Sequence, residues 1–322
     1  MHQTVIEFLK SVEDAGRKGS VESYELALRS YDGWVESQHA DPVSATLETL
    51  QRFQQWLADD YRQADGSPLK RSTQVTRLTP VLSFYRWMER KGLILCNPAK
   101  GLKLPKMPRR NTPKDYLDLQ EATALIQTQA KKVLKCAEGS WKWAEESRNL
   151  ALICLALATG RRRASLLTLK TGQLDMQRCE LRIDWEKGKA GRVLPVAKWA
   201  VDVCGIFLGV ARARLLQGRA DKEYLFPGSM NDHCAPMSFY GVLLRLHKRA
   251  AVENPDLEGF SGKHISPHSL RVSFATLLFK GGCNIRGVNE LMLHSCLTTT
   301  ARYTPIPLED LRRVCRFAHP RA

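Results

Sequence analysis

Two histidines, an arginine and a tyrosine lie close together near the end of the 322-residue sequence. His268 and Arg271 are spaced H-x-x-R, His294 follows, and Tyr303 comes nine residues after His294. An arginine fork can bind two phosphate oxygens at once. Histidine moves protons near neutral pH, and a tyrosine hydroxyl can act as a covalent nucleophile. Together these residue types suit chemistry on a phosphodiester.

The sequence around these residues, from Ser266 to Tyr303, reads SPHSLRVSFATLLFKGGCNIRGVNELMLHSCLTTTARY. It resembles the C-terminal signature of tyrosine recombinases, the phage-integrase family that includes the Xer-type enzymes. In that family H-x-x-R, a later L-G-H-S and a tyrosine at this distance form the active site. Leu293 departs from the pattern because the family usually carries glycine there, and we expect this change to alter local packing more than chemistry.

A second segment, ATGRRRASLLTLK at 158–170, resembles the family text TGLRxSELLxL. The register set by Thr159-Gly160 and Leu166-Leu167 aligns the first catalytic arginine of the family with Arg162. Ser165 stands where the family commonly has an acidic residue that orients catalytic groups. The sequence therefore leaves open which group supports Arg162.

A hairpin is predicted in CELRIDWEKGKAGRVLPV, residues 179–196. Apolar and polar residues alternate over 181–185, as in a half-buried strand, and 192–196 returns as the partner strand. Family members carry a catalytic lysine at this hairpin, in text such as KGNKERxVPL. Aligning the R-x-V-P part of that text with 192–195 places the lysine at Lys187, with Lys189 as the alternative.

The resemblance implies that Tyr303 attacks a backbone phosphorus and becomes a 3′-phosphotyrosine. Free tyrosine has a pKa of about 10, so the nucleophile needs a proton acceptor, which we expect to be His268. The remaining catalytic residues would stabilise the phosphate or the leaving group. Arg162 and Arg271 would neutralise the non-bridging oxygens, His294 would donate a hydrogen bond, and Lys187 would protonate the departing 5′-oxygen. Since the phosphotyrosine retains the bond energy, no ATP is expected, and the cationic side chains make a metal ion unnecessary, so no cofactor is predicted.

The composition favours a polyanionic partner. Lysine and arginine total 49 against 33 acidic residues, so the net charge is +16 and the pI is about 9.6. Nucleic acid is the first candidate and an anionic membrane surface the second. The longest apolar run, Leu150 to Ala158, is too short to span a bilayer. Nine cysteines without a C-x-x-C pair indicate reduced, mostly buried packing residues, and we expect a cytoplasmic protein.

The predicted fold class is mainly α with a small antiparallel β-sheet. Residues 1–96 show helical periodicity and resemble weakly the helical core-binding domain that clamps DNA in the family. Asp41-Pro42 is predicted to start a helix there. Residues 97–114, NPAKGLKLPKMPRRNTPK, read as a basic, proline-rich linker. Residues 115–322 are predicted to form the catalytic domain, with a tail helix at about 307–317.

Basic residues outside the catalytic set are predicted DNA contacts, although solvated helix faces or a solvated hinge would carry similar charges. They lie on the fourth helix, in the linker and beside Arg162. The predicted contacts are Lys70, Arg71, Arg77, Lys103, Lys106, Arg109, Arg110, Arg161 and Arg163.

The partner implied by the resemblance is double-stranded DNA carrying paired recombination sites, with no membrane involved. A homo-oligomer is expected, a tetramer on two sites, with a second recombinase or an accessory factor left open. The sequence does not choose between integration, excision and resolution of dimers or transposons. The resemblance favours docking of the tail helix on a neighbouring protomer over packing on its own domain.

Three other classes compete with a recombinase. A type IB-like topoisomerase would share the nicking chemistry without pairing two sites. A non-catalytic DNA-binding protein would explain the charge but not the full set of catalytic residue types. A metalloenzyme could use His264 and His268 as an i, i+4 pair, but Ser266-Pro267 between them is expected to interrupt the helix that such a pair needs.

Overall fold

The computed structural model describes residues 1–16, 18–106, 115–184 and 191–292. The chain divides into an N-terminal unit, Met1–Arg110, and a C-terminal unit, Asn111–Ala322. Both units are mainly helical, and the C-terminal unit contains a three-stranded antiparallel sheet. The predicted fold class is therefore confirmed. Within the described ranges, no helix is both long and apolar enough to cross a membrane.

The N-terminal unit is built from four helices that share one core. Their apolar residues recur at helical spacing, and Leu28, Tyr31 and Val35 of the second helix are fully enclosed, as the periodicity predicts. The hydroxyl groups of Tyr31 and Tyr85 hydrogen-bond to each other in this core. The helices are α1 (Gln3–Asp14), α2 (Lys18–Ser37), α3 (Leu47–Asp59) and α4 (Arg71–Arg90).

The predicted helix start at Asp41-Pro42 is wrong. The Asp41 carboxylate accepts the N–H of Val43 at 2.7 Å, so this side chain closes a turn and does not cap a helix. Helix α3 begins at Leu47. Thr46 is its N-cap. The Thr46 hydroxyl accepts the N–H of Thr49 at 3.3 Å and the Thr49 hydroxyl accepts the N–H of Thr46 at 3.2 Å, which is a reciprocal capping box.

The first part of the predicted linker, 97–114, packs on the N-terminal unit. Pro98–Gly101 forms a single 3₁₀ turn, in which the Asn97 side chain accepts the N–H of Ala99 at 2.8 Å. Ala99 and Leu102 are buried in the core of that unit. The prolines prevent an α-helix but allow this short turn, because proline suits the first position after a cap. Residues 107–114 lie outside the described ranges.

The C-terminal unit surrounds one buried helix, α6. All residues from 151 to 157 are buried, and α6 packs against α5, α8 and α11. The predicted buried helix at 148–159 is thus confirmed, but it begins earlier, at Trp141. The elements of this unit are α5 (Leu119–Leu134), α6 (Trp141–Thr159), α7 (Arg163–Leu167), β1 (Leu174–Asp175), β2 (Glu180–Ile183), β3 (Arg192–Pro195), α8 (Lys198–Ile206), α9 (Arg212–Leu216), α10 (Pro236–Glu253), α11 (Pro267–Lys280) and α12 (Ile285–Leu291).

The two predicted strands of the hairpin are confirmed as β2 and β3. They pair antiparallel, with Leu181 opposite Leu194, and both of these side chains point into the core. The short strand β1 adds to the other edge of β2. Residues 185–190, which contain the predicted turn, lie outside the described ranges.

The prediction that most cysteines are buried is confirmed only in part. Among the described residues, Cys154, Cys204 and Cys234 are buried, Cys96 is exposed, and the others are half-buried. Burial raises the pKa of the Cys154 and Cys204 thiols to about 12. These two thiols therefore stay protonated and behave as packing groups.

Candidate active site

Helix α11 presents the H-x-x-R pair. Ser266 caps this helix through a reciprocal capping box with Ser269, and Pro267 is its first residue. His268 therefore lies exposed in the first turn, while Arg271, one turn later, is only 3 % exposed. The N-terminal end of a helix favours an anion nearby. This end of α11 thus combines an imidazole with a position suited to phosphate.

Arg271 links two backbone segments, one just before Arg162 and the other just before His294. Its Nη1 donates to the carbonyl oxygen of Gly160, and its Nη2 donates to that of Met292 at 2.7 Å. Arg162 follows Gly160 by two residues, and His294 follows Met292 by two residues. Hydrogen bonds from a buried guanidinium are charge-assisted and directional. Arg271 therefore fixes the backbone just before each of these residues.

Gly160 allows the end of α6 to approach α11 closely. It ends α6 in the left-handed conformation with φ of 56°, which glycine adopts without steric cost. A Cβ added here would lie 2.3 Å from Cδ1 of Phe274 on α11. Both the backbone conformation and the contact therefore require glycine at this position.

The three consecutive arginines after Gly160 have different environments. Arg162 occupies the N-cap position of α7 and is half-buried, while Arg163 is exposed. Arg161 is 2 % exposed. The chain reverses at the left-handed Gly160, and the Arg161 side chain that follows is enclosed by the protein. Burial alone does not exclude a phosphate contact, since Arg271 is about as enclosed as Arg161, and the predicted DNA contact at Arg161 stays a prediction.

The rest of the predicted catalytic set lies outside the described residues. Lys187 and its alternative Lys189 fall in 185–190, while His294, Tyr303 and the predicted tail helix fall in 293–322. The described part of the site consists of Arg162, His268 and Arg271. The predicted DNA contacts Arg109 and Arg110 also lie outside the described ranges.

The predicted break between His264 and His268 is confirmed, because α11 begins at Pro267 and His264 precedes it. The two imidazoles therefore do not share a helix as a zinc-binding i, i+4 pair would. The His264 ring lies instead beside Tyr240, with 3.5 Å between its Nε2 and the phenol oxygen.

The predicted DNA contacts of the N-terminal unit surround α4. Lys70 and Arg71 are exposed at its start, and Arg77 is half-buried with its guanidinium 4.6 Å from the centre of the Tyr61 ring. Lys103 and Lys106 in the predicted linker are exposed. Sequence analysis missed a polar stripe along α4, spaced by three and four residues. It comprises Ser72, Thr76, Thr79, Ser83, Arg86 and Arg90, all exposed or half-buried.

The hydroxyl groups of this α4 stripe are held close to their own helix. Thr76 donates to the Ser72 carbonyl at 2.9 Å, and Ser83 donates to the Thr79 carbonyl at 3.0 Å. Such back-bonding leaves short side chains on the surface. The middle of this helix face consequently carries only short, uncharged side chains, and arginines lie at its C-terminal end.

Sequence analysis also missed the residues that hold α11 in place. Ser273 is fully enclosed on α11, and Lys263 precedes the helix and bonds to Glu121 at 2.6 Å. The available signal was a serine within the mainly apolar text LRVSFATLLF. A polar residue in such a run must find a hydrogen-bond partner when it is buried.

Comparison with known proteins identifies the family. The sequence profile of the Phage integrase family matches residues 117–307. Tyrosine recombinase XerC of Pelotomaculum thermopropionicum is 32 % identical over 84 % of this chain and 81 % of its own length. Tyrosine recombinase XerC 2 of Ralstonia nicotianae is 28 % identical over 94 % of this chain and 80 % of its own length. The chain therefore belongs to the phage integrase family and is a tyrosine recombinase, an enzyme that transfers DNA strands in site-specific recombination.

Solved structures share the fold. The site-specific recombinase XerH, in a post-cleavage complex with a palindromic difH substrate, aligns with a TM-score of 0.67 and 16 % identity, covering 98 % of this chain and 83 % of its own. The Tn1549 transposon integrase in complex with transposon right end DNA aligns with a TM-score of 0.63 and 17 % identity, covering 98 % of this chain and 99 % of its own.

Proposed function

We propose that this recombinase cleaves and rejoins DNA through a 3′-phosphotyrosine intermediate formed by Tyr303. The observation that carries this proposal is the buried Arg271. Its hydrogen bonds to the carbonyls of Gly160 and Met292 hold the chain just before Arg162 and His294. A guanidinium placed between two such segments supports one shared phosphate site.

In the proposed reaction, the Tyr303 oxygen forms a bond to phosphorus and the bond from phosphorus to the 5′-oxygen breaks. Arg162 and Arg271 stabilise the charge on the non-bridging oxygens, which is greatest in the transition state. His268, exposed at the start of α11, assists removal of the phenol proton. The roles of Tyr303, Lys187 and His294 follow from the sequence resemblance.

The departing 5′-oxygen needs a proton, and we assign its delivery to Lys187. His294 donates a hydrogen bond to the phosphate. When a second 5′-hydroxyl attacks the phosphotyrosine, the same groups act in reverse, so the ends rejoin without ATP. No step in this sequence calls for a metal ion.

The DNA interface is proposed to include the α4 stripe of the N-terminal unit. Short hydroxyl side chains let a helix approach a duplex closely, and the arginines at the end of the stripe, with Lys70 and Arg71 at the start of α4, suit its phosphates. The exposed Lys103, Lys106 and Arg163 would add contacts. The net charge of +16 and the DNA-bound XerH and Tn1549 integrase support a double-stranded DNA partner.

The enzyme is further proposed to act as a homo-tetramer on two recombination sites. The relatives include XerC enzymes and a transposon integrase, so both chromosome-dimer resolution and transfer of a mobile element fit the family. Two assays would distinguish these tasks. One measures recombination between two repeated sites, direct or inverted, on one plasmid, and the other measures integration of DNA into a single site.

The proposal is tested by trapping the covalent intermediate on a nicked suicide substrate, from which the cleaved end diffuses away. The wild-type protein should become linked to the strand that is labelled upstream of the cleavage site, as a 3′ attachment requires. Arg271→Ala should slow linkage by about 10² to 10³-fold, the usual cost of one lost oxyanion donor.

Arg212→Ala is the matched control for this experiment. Arg212 is also buried, at 8 % exposure, and donates to the Tyr224 carbonyl and the Asp221 carboxylate, outside the candidate site. It should lose stability but keep the wild-type linkage rate in its folded fraction. Linkage through a 5′ end, or an undiminished rate for Arg271→Ala, would contradict the proposal.

A further inference from the structure

Ser273 connects the catalytic helix to the first residues of the C-terminal unit. It lies two residues after Arg271 on α11 and is fully enclosed. Its hydroxyl donates to the Ser269 carbonyl at 2.8 Å and accepts the N–H of Leu117 at 2.7 Å. Leu117 is itself fully buried. A buried N–H without a partner is costly, so this hydroxyl holds the chain at Leu117 against α11.

Two more hydrogen bonds join the same stretch, residues 115–118, which we call the strap, to the loop before α11. Lys263 Nζ donates to the Tyr116 carbonyl at 3.0 Å. The N–H of His264 donates to the Asp115 carboxylate at 2.8 Å. Each bond spans almost half of the chain in sequence. The strap is thus attached both to α11 and to the loop that leads into it.

The other end of the strap is fixed to α5. Asp118 caps α5 in a reciprocal capping box with Glu121, at distances of 2.8 and 2.9 Å. The Glu121 carboxylate is buried and also accepts a hydrogen bond from Lys263 at 2.6 Å. A buried charge pair with added hydrogen bonds has a well-defined geometry. The strap is therefore held between α5 and the catalytic helix.

These contacts continue to the catalytic side chains. The His264 carbonyl accepts a hydrogen bond from the Ser269 hydroxyl at 3.1 Å, and Ser269 belongs to the capping box around His268. Ser273 acts on the same helix half a turn beyond Arg271. We propose that the strap sets the position of His268 and Arg271, with Ser273 as its main positioning residue. This inference rests on the proposed function.

The test is single-turnover cleavage of the suicide substrate by full-length Ser273→Ala, together with its affinity for the same DNA. Positioning predicts a rate constant lowered about ten-fold or more, because small misplacement of catalytic groups costs rate steeply. Affinity for DNA should stay within two-fold of wild type, by analogy with groups that act only in the transition state. Loss of stability alone would lower the amplitude of the reaction and leave the rate constant of the folded molecules unchanged.

Thr128→Val serves as the control. Thr128 is a buried hydroxyl on α5 that bonds to Glu253 at 3.2 Å, and it does not belong to the strap. Its rate constant should equal that of the wild type. A wild-type rate constant for Ser273→Ala with reduced amplitude would show a merely structural role and overturn the inference.

Asp115→Ala keeps the test decisive if Ser273→Ala fails to fold. Asp115 is exposed, so its loss removes the hydrogen bond from His264 with little risk to folding. Cleavage by this variant should slow several-fold at unchanged affinity, and an unchanged rate would overturn the inference. If the wild-type protein itself forms no covalent complex, the proposed function fails, and this result is distinct from any outcome for the strap.

Discussion

Replacement of Gly160 by alanine disturbs the junction of α6 and α11 at a single point. An alanine in the left-handed conformation costs about 1 to 2 kcal/mol. The new Cβ would also lie 2.3 Å from Cδ1 and 2.9 Å from Cγ of Phe274, so the ring or its helix has to move. Overpacking of this kind typically costs about 1 to 3 kcal/mol. The total, about 2 to 5 kcal/mol, is below the stability of most domains.

The same shift should reach the catalytic arginine. Phe274 lies three residues after Arg271 on α11, and Arg271 donates to the carbonyl of Gly160 itself. Moving α11 away from Gly160 lengthens that hydrogen bond and displaces the guanidinium. Gly160→Ala should therefore cleave the suicide substrate more slowly, by about 10-fold or more, in addition to its loss of stability.

Gly139→Ala isolates the effect of the clash. Gly139 has a similar left-handed φ of 75°, but nothing lies within 4 Å of an added Cβ. Chemical denaturation should show only the backbone cost for Gly139→Ala and a loss larger by about 1 to 3 kcal/mol for Gly160→Ala. Equal losses in the two variants, or wild-type cleavage by Gly160→Ala, would refute the close packing of α6 on α11 as the support of the site.

Three other results are expected. Lys187→Ala should cleave an ordinary site poorly but recover on a 5′-bridging phosphorothiolate, whose thiolate leaves without a proton; no recovery would assign the acid to another group, with Lys189 next to test. The predicted linker contains four basic residues to replace together, Lys103, Lys106, Arg109 and Arg110. Their removal should flatten the slope of log K for DNA binding against log salt concentration by up to about 3 to 4. An unchanged slope would place these residues away from DNA. Burial alone would raise the pKa of Glu146, but hydrogen bonds from Gln129 and Lys132 outweigh it and lower the pKa from 4.5 to about 2. Since the folded-state pKa lies below the unfolded one, this carboxylate stabilises the fold above pH 4.5, and its contribution of roughly 3 kcal/mol is lost as the pH falls toward 2. Chemical denaturation between pH 4.5 and 2 should show this fall in the free energy of unfolding for the wild type and for the exposed control Glu138→Gln. The fall should be much smaller for Glu146→Gln.

Local patterns in the sequence predicted what depends on neighbouring residues. Leu28, Tyr31 and Val35 recur at helical spacing and are buried together, and Leu181 faces Leu194 in the predicted hairpin. In both cases periodicity alone determines which face is apolar. The H-x-x-R spacing of His268 and Arg271 is likewise a property of one helical turn.

The sequence did not predict features that depend on distant residues or on competing local contacts. Asp41 is a residue type that commonly caps helices, but its carboxylate accepts the N–H of Val43 within a turn. The run of three arginines does not reveal that Arg161, which follows the left-handed Gly160 at the end of α6, is buried while Arg163 is exposed. The bond between Leu117 and Ser273 joins residues 156 positions apart. Such pairs become visible only when the tertiary structure brings the two segments together.

Tyr303 is the residue on which the proposed chemistry depends, and the peptide linked to DNA identifies the nucleophile directly. The covalent complex with a suicide-nicked substrate would be digested with protease and nuclease, and the modified tyrosine located by mass spectrometry. The modification should map to Tyr303, and Tyr303→Phe should bind the same DNA with nearly normal affinity and form no covalent complex. A covalent complex that persists in Tyr303→Phe, or a DNA-linked peptide containing another tyrosine such as Tyr240, would contradict the assignment.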